Sequence, residues 1–152
     1  MKTPFDPQVL LDRALMANLA TLAEDGAPCN APVWYLWEDG ALWMLGHEGA
    51  SSVRRLGRDG RCAVEIVDFD SSAGILLHCG LRGTATIEPN DVPLFHRLLR
   101  KYLGPEDGWN DWFIDNIAAI ESPTSRMIRL VPASVFTNNV SFFRTGPELA
   151  FP

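Results

Sequence analysis

Two copies of one device stand 14 residues apart near the start of the chain, Glu24-Asp25-Gly26-Ala27 and Glu38-Asp39-Gly40-Ala41. Each lies between strongly apolar runs, and Asp-Gly in that setting is the best short-range signal for a tight β-hairpin. Consecutive strands joined by tight turns must run antiparallel. The second hairpin then enters Gly46-His47-Glu48-Gly49-Ala50-Ser51-Ser52-Val53-Arg54-Arg55-Leu56, a glycine-bearing loop that opens a short basic helix. Backbone amides at a helix start, with a guanidinium fork beside them, are the fittings a phosphate dianion requires.

The remaining chain extends the β pattern and then interrupts it. Val9-Leu10-Leu11 with Ala14-Leu15 predicts a short amphipathic helix after Pro7, and Asn18 to Ala23 a strand ahead of the first Asp-Gly. Pro28 to Trp37 reads as one strand with prolines at 28 and 32. Their missing amide donors fall on one side, which must be a sheet edge or a bulge. Ala41 to Leu45 is apolar on both parities, as for a strand covered on both faces. Cys62, Val64 and Ile66 alternate with Arg61 and Glu65, and Ile75 to Glu88 reads as one long strand. Within it, Gly80 and Gly83 mark a bulge or a close approach by another backbone.

Phe95, Leu98, Leu99, Tyr102 and Leu103 then keep helical spacing, with Pro93 in the first turn and Gly104 as the stop. A second helix is expected with Trp109, Trp112, Phe113 and Ile117 on one stripe. Arg126 to Phe136 forms a last strand, followed by an irregular tail. The expectation is a mainly β protein: a six-stranded antiparallel sheet closing as a small split β-barrel, with a few flanking helices.

With 152 residues, the chain is expected to form a single domain over 1–152, burying roughly 70% of its unfolded surface. A net charge of −6 argues against non-specific nucleic-acid binding. No window approaches the ~20 apolar residues that span a membrane, and the first residues lack the apolar core of a signal peptide. Cys29, Cys62 and Cys79 all fall in strand-like runs. They read as free thiols of a reducing, cytoplasmic compartment.

The order of these pieces resembles the split-barrel flavoproteins of the pyridoxamine 5′-phosphate oxidase-like superfamily. The resemblance is carried by Leu19-Ala20-Thr21-Leu22 with Asp25-Gly26, and by Pro32-Val33-Trp34-Tyr35 with Asp39-Gly40. It continues through Ser51-Ser52-Val53-Arg54-Arg55-Leu56, Gly83-Thr84-Ala85 and Arg129-Leu130-Val131-Pro132. It implies a homodimer with two FMN molecules at the subunit interface, each touched by both chains, and a flavin-dependent oxidoreductase acting on a small organic substrate. Two departures stand out. Ser52 occupies a position that is often lysine in the family, and no Ser-Arg-Pro substrate-phosphate motif lies between Trp109 and Ser125. Oxidation of pyridoxamine phosphate itself is therefore not expected. A 5-deazaflavin-dependent reductase and a non-catalytic flavin binder are the alternatives on the same fold.

Each candidate residue has a plainer alternative. Ser51 and Ser52 either hold phosphate or simply cap the helix. Arg54 is the favoured phosphate ligand, while Arg55 and Arg58 also suit a solvated helix face. Val33, Trp34, Tyr35 and Leu36 either line the flat isoalloxazine ring or pack the core. Of Trp34 and Tyr35 one must point in and one out, and the sequence leaves open which. His47 either donates to a phosphate or ribityl hydroxyl or is an exposed loop residue. Trp109 and Trp112 either pack the inserted helix or roof a neighbouring subunit's site, and Arg144 resembles a C-terminal arm. His78, His96, Asp68 and Asp70 lack metal-ligand spacing, so no metal site is expected.

Overall fold

A computed structural model describes residues 4–116, 118 and 121–141. The chain begins with α1 (Gln8–Leu11), then β1 (Ala17–Leu22), β2 (Pro28–Val33), β3 (Tyr35–Glu38) and β4 (Ala41–His47). After α2 (Ser51–Arg58) come β5 (Arg61–Asp70) and β6 (Ile75–Pro89). Next are α3 (Val92–Leu103), a 3₁₀ turn at Glu106–Gly108, α4 (Asp111–Asp115) and β7 (Ser125–Asn139).

Both Asp-Gly devices turn hairpins, by different geometries. Asp39 and Gly40 each take positive φ, 52° and 72°, the two-residue turn that follows the twist of the strands. At the first device only Gly26 is left-handed. There the Ala23 amide donates to Ala27 and the Gly26 amide to Ala23, a three-residue loop closed through a glycine bulge.

The strands form one antiparallel sheet of seven in the order β2-β1-β5-β6-β7-β4-β3. The sequence pattern predicts six, with Pro28 to Trp37 as one strand. The chain breaks at Trp34 instead, so that β2 pairs with β1 at one edge and β3 pairs with β4 at the other. The sheet is thus bent round until its two edges are covalent neighbours without being hydrogen-bonded to each other, a barrel that is split. Pro28 and Pro32 sit on that β2 edge, where no partner strand needs their missing amides.

β6 pairs with β5 and β7, and its register slips between Arg82 and Gly83. A Cβ at Gly83 would lie 2.9 Å from the Val131 carbonyl oxygen, so glycine lets the two backbones meet at the bulge. At Gly80 the Phe136 ring lies directly over the backbone, 2.2 Å from where a Cβ would stand.

The main core fills the barrel with Leu19, Tyr35, Leu42, Met44, Val64, Ile66, Leu81, Ile128 and Leu130, joined by Leu10 and Leu11 of α1 and Val53 and Leu56 of α2. A second cluster lies under α3, where Leu99 and Trp109 pack with Trp34, Leu45, Phe95 and Phe113. This explains the double-sided apolar pattern of β4: Leu42 and Met44 face the barrel, while Leu45 faces α3.

α3 is capped by Asp91, whose carboxylate accepts the Leu94 amide at 2.9 Å, and stops at the left-handed Gly104. The expected second helix is shorter than its stripe. Trp109 precedes it and is buried, Trp112 is 65% exposed, and Ile117 lies outside the described residues. So does Arg144. Among the described residues, no helix is long and apolar enough to cross a membrane.

Candidate functional site

The break at Trp34 settles which neighbour points inward. Tyr35 is wholly buried, and its hydroxyl lies 2.6 Å from the Leu10 carbonyl and 2.9 Å from that of Arg13. Trp34 therefore points away from the barrel. Its ring stacks on Tyr102 of α3 with centroids 4.5 Å apart and planes 2° from parallel, and faces Phe113 at 6.3 Å. Tyr102 is fixed in turn: its hydroxyl donates to the Leu15 carbonyl at 2.7 Å and accepts the Tyr35 amide at 3.1 Å.

Beside Trp34 opens a cavity of about 670 Å³, lined by Trp34, Leu45, Gly46, His47, Phe95, Leu99, Trp112, Phe113, Asn116, Ser122, Thr124 and Ser125. That volume suits a cofactor or drug-sized ligand, and the wall is mainly apolar with a few polar groups, as such sites are. β4 provides one side, α3 and α4 the other, and the turn leading into β7 completes it. The last link is the pairing of His47 with Ser125, two residues far apart in sequence.

The loop after His47 leads directly to the start of α2. His47 Nδ1 accepts the Gly49 amide at 3.1 Å, which leaves the ring proton on Nε2 as a donor. The Glu48 amide donates to the Thr124 carbonyl at 2.9 Å. Glu48 also pairs with Arg126, and Arg126 donates to the Pro123 and Ser125 carbonyls. The loop and the 122–125 segment are thus laced into one wall.

Ala50, not a serine, occupies the N-cap of α2, and no side chain caps that end. The capping alternative for Ser51 and Ser52 is corrected accordingly: both lie in the first turn, whose amides have no intrahelical acceptor. Gly46 lets this helix sit close, since a Cβ there would stand 2.5 Å from Val53 Cγ2.

The arginines of α2 divide as their surroundings dictate. Arg55 donates to Thr21 Oγ1 at 2.8 Å and Arg58 to the Leu22 carbonyl at 3.1 Å, so both tie the helix to β1. Arg54 remains beside the loop, donating to the Gly49 carbonyl at 2.9 Å.

Of the residues singled out in the sequence, Trp34 and His47 line the cavity, and Ser51, Ser52 and Arg54 gather at the start of α2. Tyr35 belongs to the core. Val33 and Leu36 are half-buried and lie outside the cavity wall; Val33 packs against the core. The wall contributed by Phe95, Leu99, Trp112, Phe113, Asn116 and Ser122–Ser125 was missed. The helical stripe of α3 does not show what it faces, and nothing local shows that β7 returns beside β4.

Burial dominates the titrating groups behind the wall. Lys101 is pushed down to about 8 although its ammonium donates to the Leu11 and Tyr35 carbonyls, each at 3.0 Å. Tyr102 is pushed up to about 12. Burial likewise raises the Cys62 and Cys79 thiols to about 11, which makes them poor nucleophiles. His78 pairs with Glu65 and His96 with Glu106. Asp68 pairs with Arg13, and Asp70 accepts from its own turn at Ser72 and Ala73.

The chain is thus a split barrel that carries a helix start beside a mainly apolar cavity. A family model described as pyridoxamine 5′-phosphate oxidase matches residues 8–139, and the chain belongs to that family. No curated protein sequence matches it. Among solved structures it resembles a conserved hypothetical protein, Rv2991, from Mycobacterium tuberculosis, at 19% identity and TM-score 0.73, covering 95% of this chain and 91% of that one. It also resembles an F420 reductase (21% identity, TM-score 0.65, covering 88% and 98%). A FAD-binding protein from Mesorhizobium loti is similar at 16% identity and TM-score 0.62, covering 91% and 98%. At these identities the likeness is one of fold.

Proposed function

We propose that the chain is a flavin-dependent oxidoreductase that binds FMN as a cytoplasmic homodimer, with each cofactor at the subunit interface, and acts on a small organic substrate. One observation carries the reading: an uncapped helix start with Arg54 beside it is joined through His47 to an aromatic-walled cavity. Together these can receive a molecule that is anionic at one end and flat and apolar at the other. The flavin-related names of structural neighbours and the family membership support it.

When bound, FMN supplies the hydride chemistry, which is why the chain need not present a catalytic triad. The chain's own residues bind and orient. The first-turn amides of α2, the Ser51 and Ser52 hydroxyls and Arg54 hold phosphate; His47 Nε2–H donates; Trp34 and its apolar neighbours keep water from one side of the ring. Ser52, standing where lysine is frequent, places more of the phosphate load on Arg54.

The test is to purify the chain, add FMN, desalt, and record the visible spectrum and the mass in solution. Retained flavin on a dimer is expected, with Arg54→Ala weakening it by about tenfold, the value of one charge-assisted contact. A colourless protein refutes the FMN reading. A colourless protein that does retain the 5-deazaflavin coenzyme transfers the reading to that cofactor, the ligand named in the F420 reductase to which the fold is similar.

A further inference from the structure

We propose that Tyr102 is a positioning residue of the site: its hydroxyl, held from both sides of the split, fixes the plane of Trp34 and so sets the affinity for the flat ring that packs beside it. This names a further residue of the proposed flavin site and rests on that reading.

Trp34 has no strand to hold it. The ladder between β1 and β2 ends at Val33 and that between β3 and β4 begins at Tyr35, so the residue between them lies in neither. Side-chain contact is what fixes its indole. Phe113 faces it at 6.3 Å and 22° from α4, a helix of five residues none of which is buried. Tyr102 lies closer and flatter, at 4.5 Å and 2°, on the twelve-residue, capped α3. A stacked pair of this kind holds a ring's plane as well as its position.

The stack is only as rigid as Tyr102, and the seam of the barrel supplies that rigidity. Leu15 lies ahead of β1, on the side of the split whose edge is β2, whereas Tyr35 opens β3, the opposite edge. The Tyr102 hydroxyl donates to the Leu15 carbonyl at 2.7 Å and accepts the Tyr35 amide at 3.1 Å, so both its proton and a lone pair are engaged. Lys101, the preceding residue, donates to the Leu11 and Tyr35 carbonyls, each at 3.0 Å. Two neighbouring side chains of α3 thus take the amide and the carbonyl of Tyr35 at the free edge of β3, where an adjacent strand would otherwise bond. Without the hydroxyl, the Tyr102 ring keeps its contact with Trp34 but loses the two bonds that fix its tilt.

The consequence is confined to one end of the site. A loosened Trp34 presents no fixed plane, and a flat ring bound against it gives up part of a stacked contact, a loss of about fivefold in affinity. The proposed phosphate end is untouched, because Arg54 is held by the Gly49 carbonyl in the loop after β4 and not by α3.

The experiment titrates the full-length chain with FMN and with lumiflavin, the same ring without the ribityl phosphate, and follows flavin fluorescence. Tyr102→Phe is expected to weaken both by about fivefold, whereas Arg54→Ala weakens FMN alone. In a Trp34→Leu background Tyr102→Phe should add nothing, since it acts through the indole. Hydrogen exchange in the parent gives a check that needs no variant. Lumiflavin should slow exchange of the Tyr35 amide, whose acceptor is the Tyr102 hydroxyl, and leave the amides between β1 and β5 unchanged. Unchanged lumiflavin binding in Tyr102→Phe, effects of the two substitutions that simply add, or Tyr35 exchange indifferent to lumiflavin would each overturn the assignment and leave the flavin reading in place. A parent that takes up neither FMN nor lumiflavin overturns the flavin reading, and the assignment with it.

Discussion

Replacing Tyr35 by Phe removes one oxygen from a side chain with no solvent exposure. That oxygen lies 2.6 Å from the Leu10 carbonyl and 2.9 Å from the Arg13 carbonyl, so a single hydroxyl proton ties α1 and the turn after it to β3. Water cannot take its place, because Leu10 and Leu11 close that end of the core. The aromatic ring is retained, and with it the seat of the Lys101 ammonium, 3.6 Å from the ring centroid. The substitution therefore isolates one buried hydrogen bond, because both carbonyls keep a backbone donor, the Arg13 amide on Leu10 and the Leu15 amide on Arg13. Such a loss costs about 0.5–1.5 kcal/mol. A domain of this size shifts by about 2–4 °C per kcal/mol, so the midpoint should fall by roughly 2–4 °C for a loss near 1 kcal/mol.

Thermal melts followed by circular dichroism measure the total, and hydrogen exchange locates it. The Leu10 and Leu11 amides, which donate to the Pro7 carbonyl, should exchange faster, while β5 and β6 keep their protection. A loss under about 0.5 kcal/mol would show that the hydroxyl is not what holds α1. Uniformly faster exchange across the sheet would refute the localisation.

Two further outcomes follow from the same geometry. Gly83→Ala should destabilise by about 1–3 kcal/mol and exceed Gly80→Ala, because its Cβ meets Val131 and Ala133 backbone atoms, whereas at Gly80 it meets a Phe136 ring free to swing outward; chemical denaturation of the two variants showing the reverse order would refute this. Burial lowers the Lys101 pKa from 10.5 to about 8, so between these values the unfolded chain binds more protons at this site and its contribution to stability rises with pH. Cys62 and Cys79, raised from 9.0 to about 11, work in the opposite direction over part of that interval, as does Tyr102, raised to about 12, above the ordinary tyrosine range near 10. These groups are common to the parent and Lys101→Met, so in melts from pH 8 to 9.5 the stability of the parent relative to Lys101→Met should rise. A relative stability that stays flat or falls over that interval would contradict the burial argument.

Local chemistry made the strands legible and tertiary register hid the site. Asp39-Gly40 needed only its own backbone preferences to announce a turn, and Pro28 with Pro32 announced a sheet edge because a missing donor is a property of the residue itself. Gly83 was likewise readable as a bulge. Trp34 was not readable as a break, since nothing in Pro28 to Trp37 interrupts the apolar pattern. The chain leaves one edge there because the barrel has curled far enough to bring the other within a residue's reach. Phe95 and Leu99 keep a core-like stripe, and only the return of β7 beside β4 turns part of that stripe into a cavity wall. Ser51 and Ser52 suit a cap and a phosphate site equally by residue type, but Ala50 takes the extended backbone that ends the loop, which moves both serines into the helix.

β4 shows how one short strand can serve fold and site together. Its even positions, Leu42 and Met44, fill the barrel. Gly46 continues that face without a side chain, and the vacated space is where α2 sets Val53. Its odd positions, Leu45 and His47, turn outward to the cavity. The lack of a Cβ at Gly46 therefore couples two things that need not go together: a helix start aimed past the barrel rim, and an aromatic cavity on the far side of the same strand. A side chain at that position would push α2 off β4 and separate the uncapped helix start from the apolar cavity. The distance between them is set by the seven residues of β4 and the short loop after it, so the site's dimensions follow from the barrel rather than from any mobile segment.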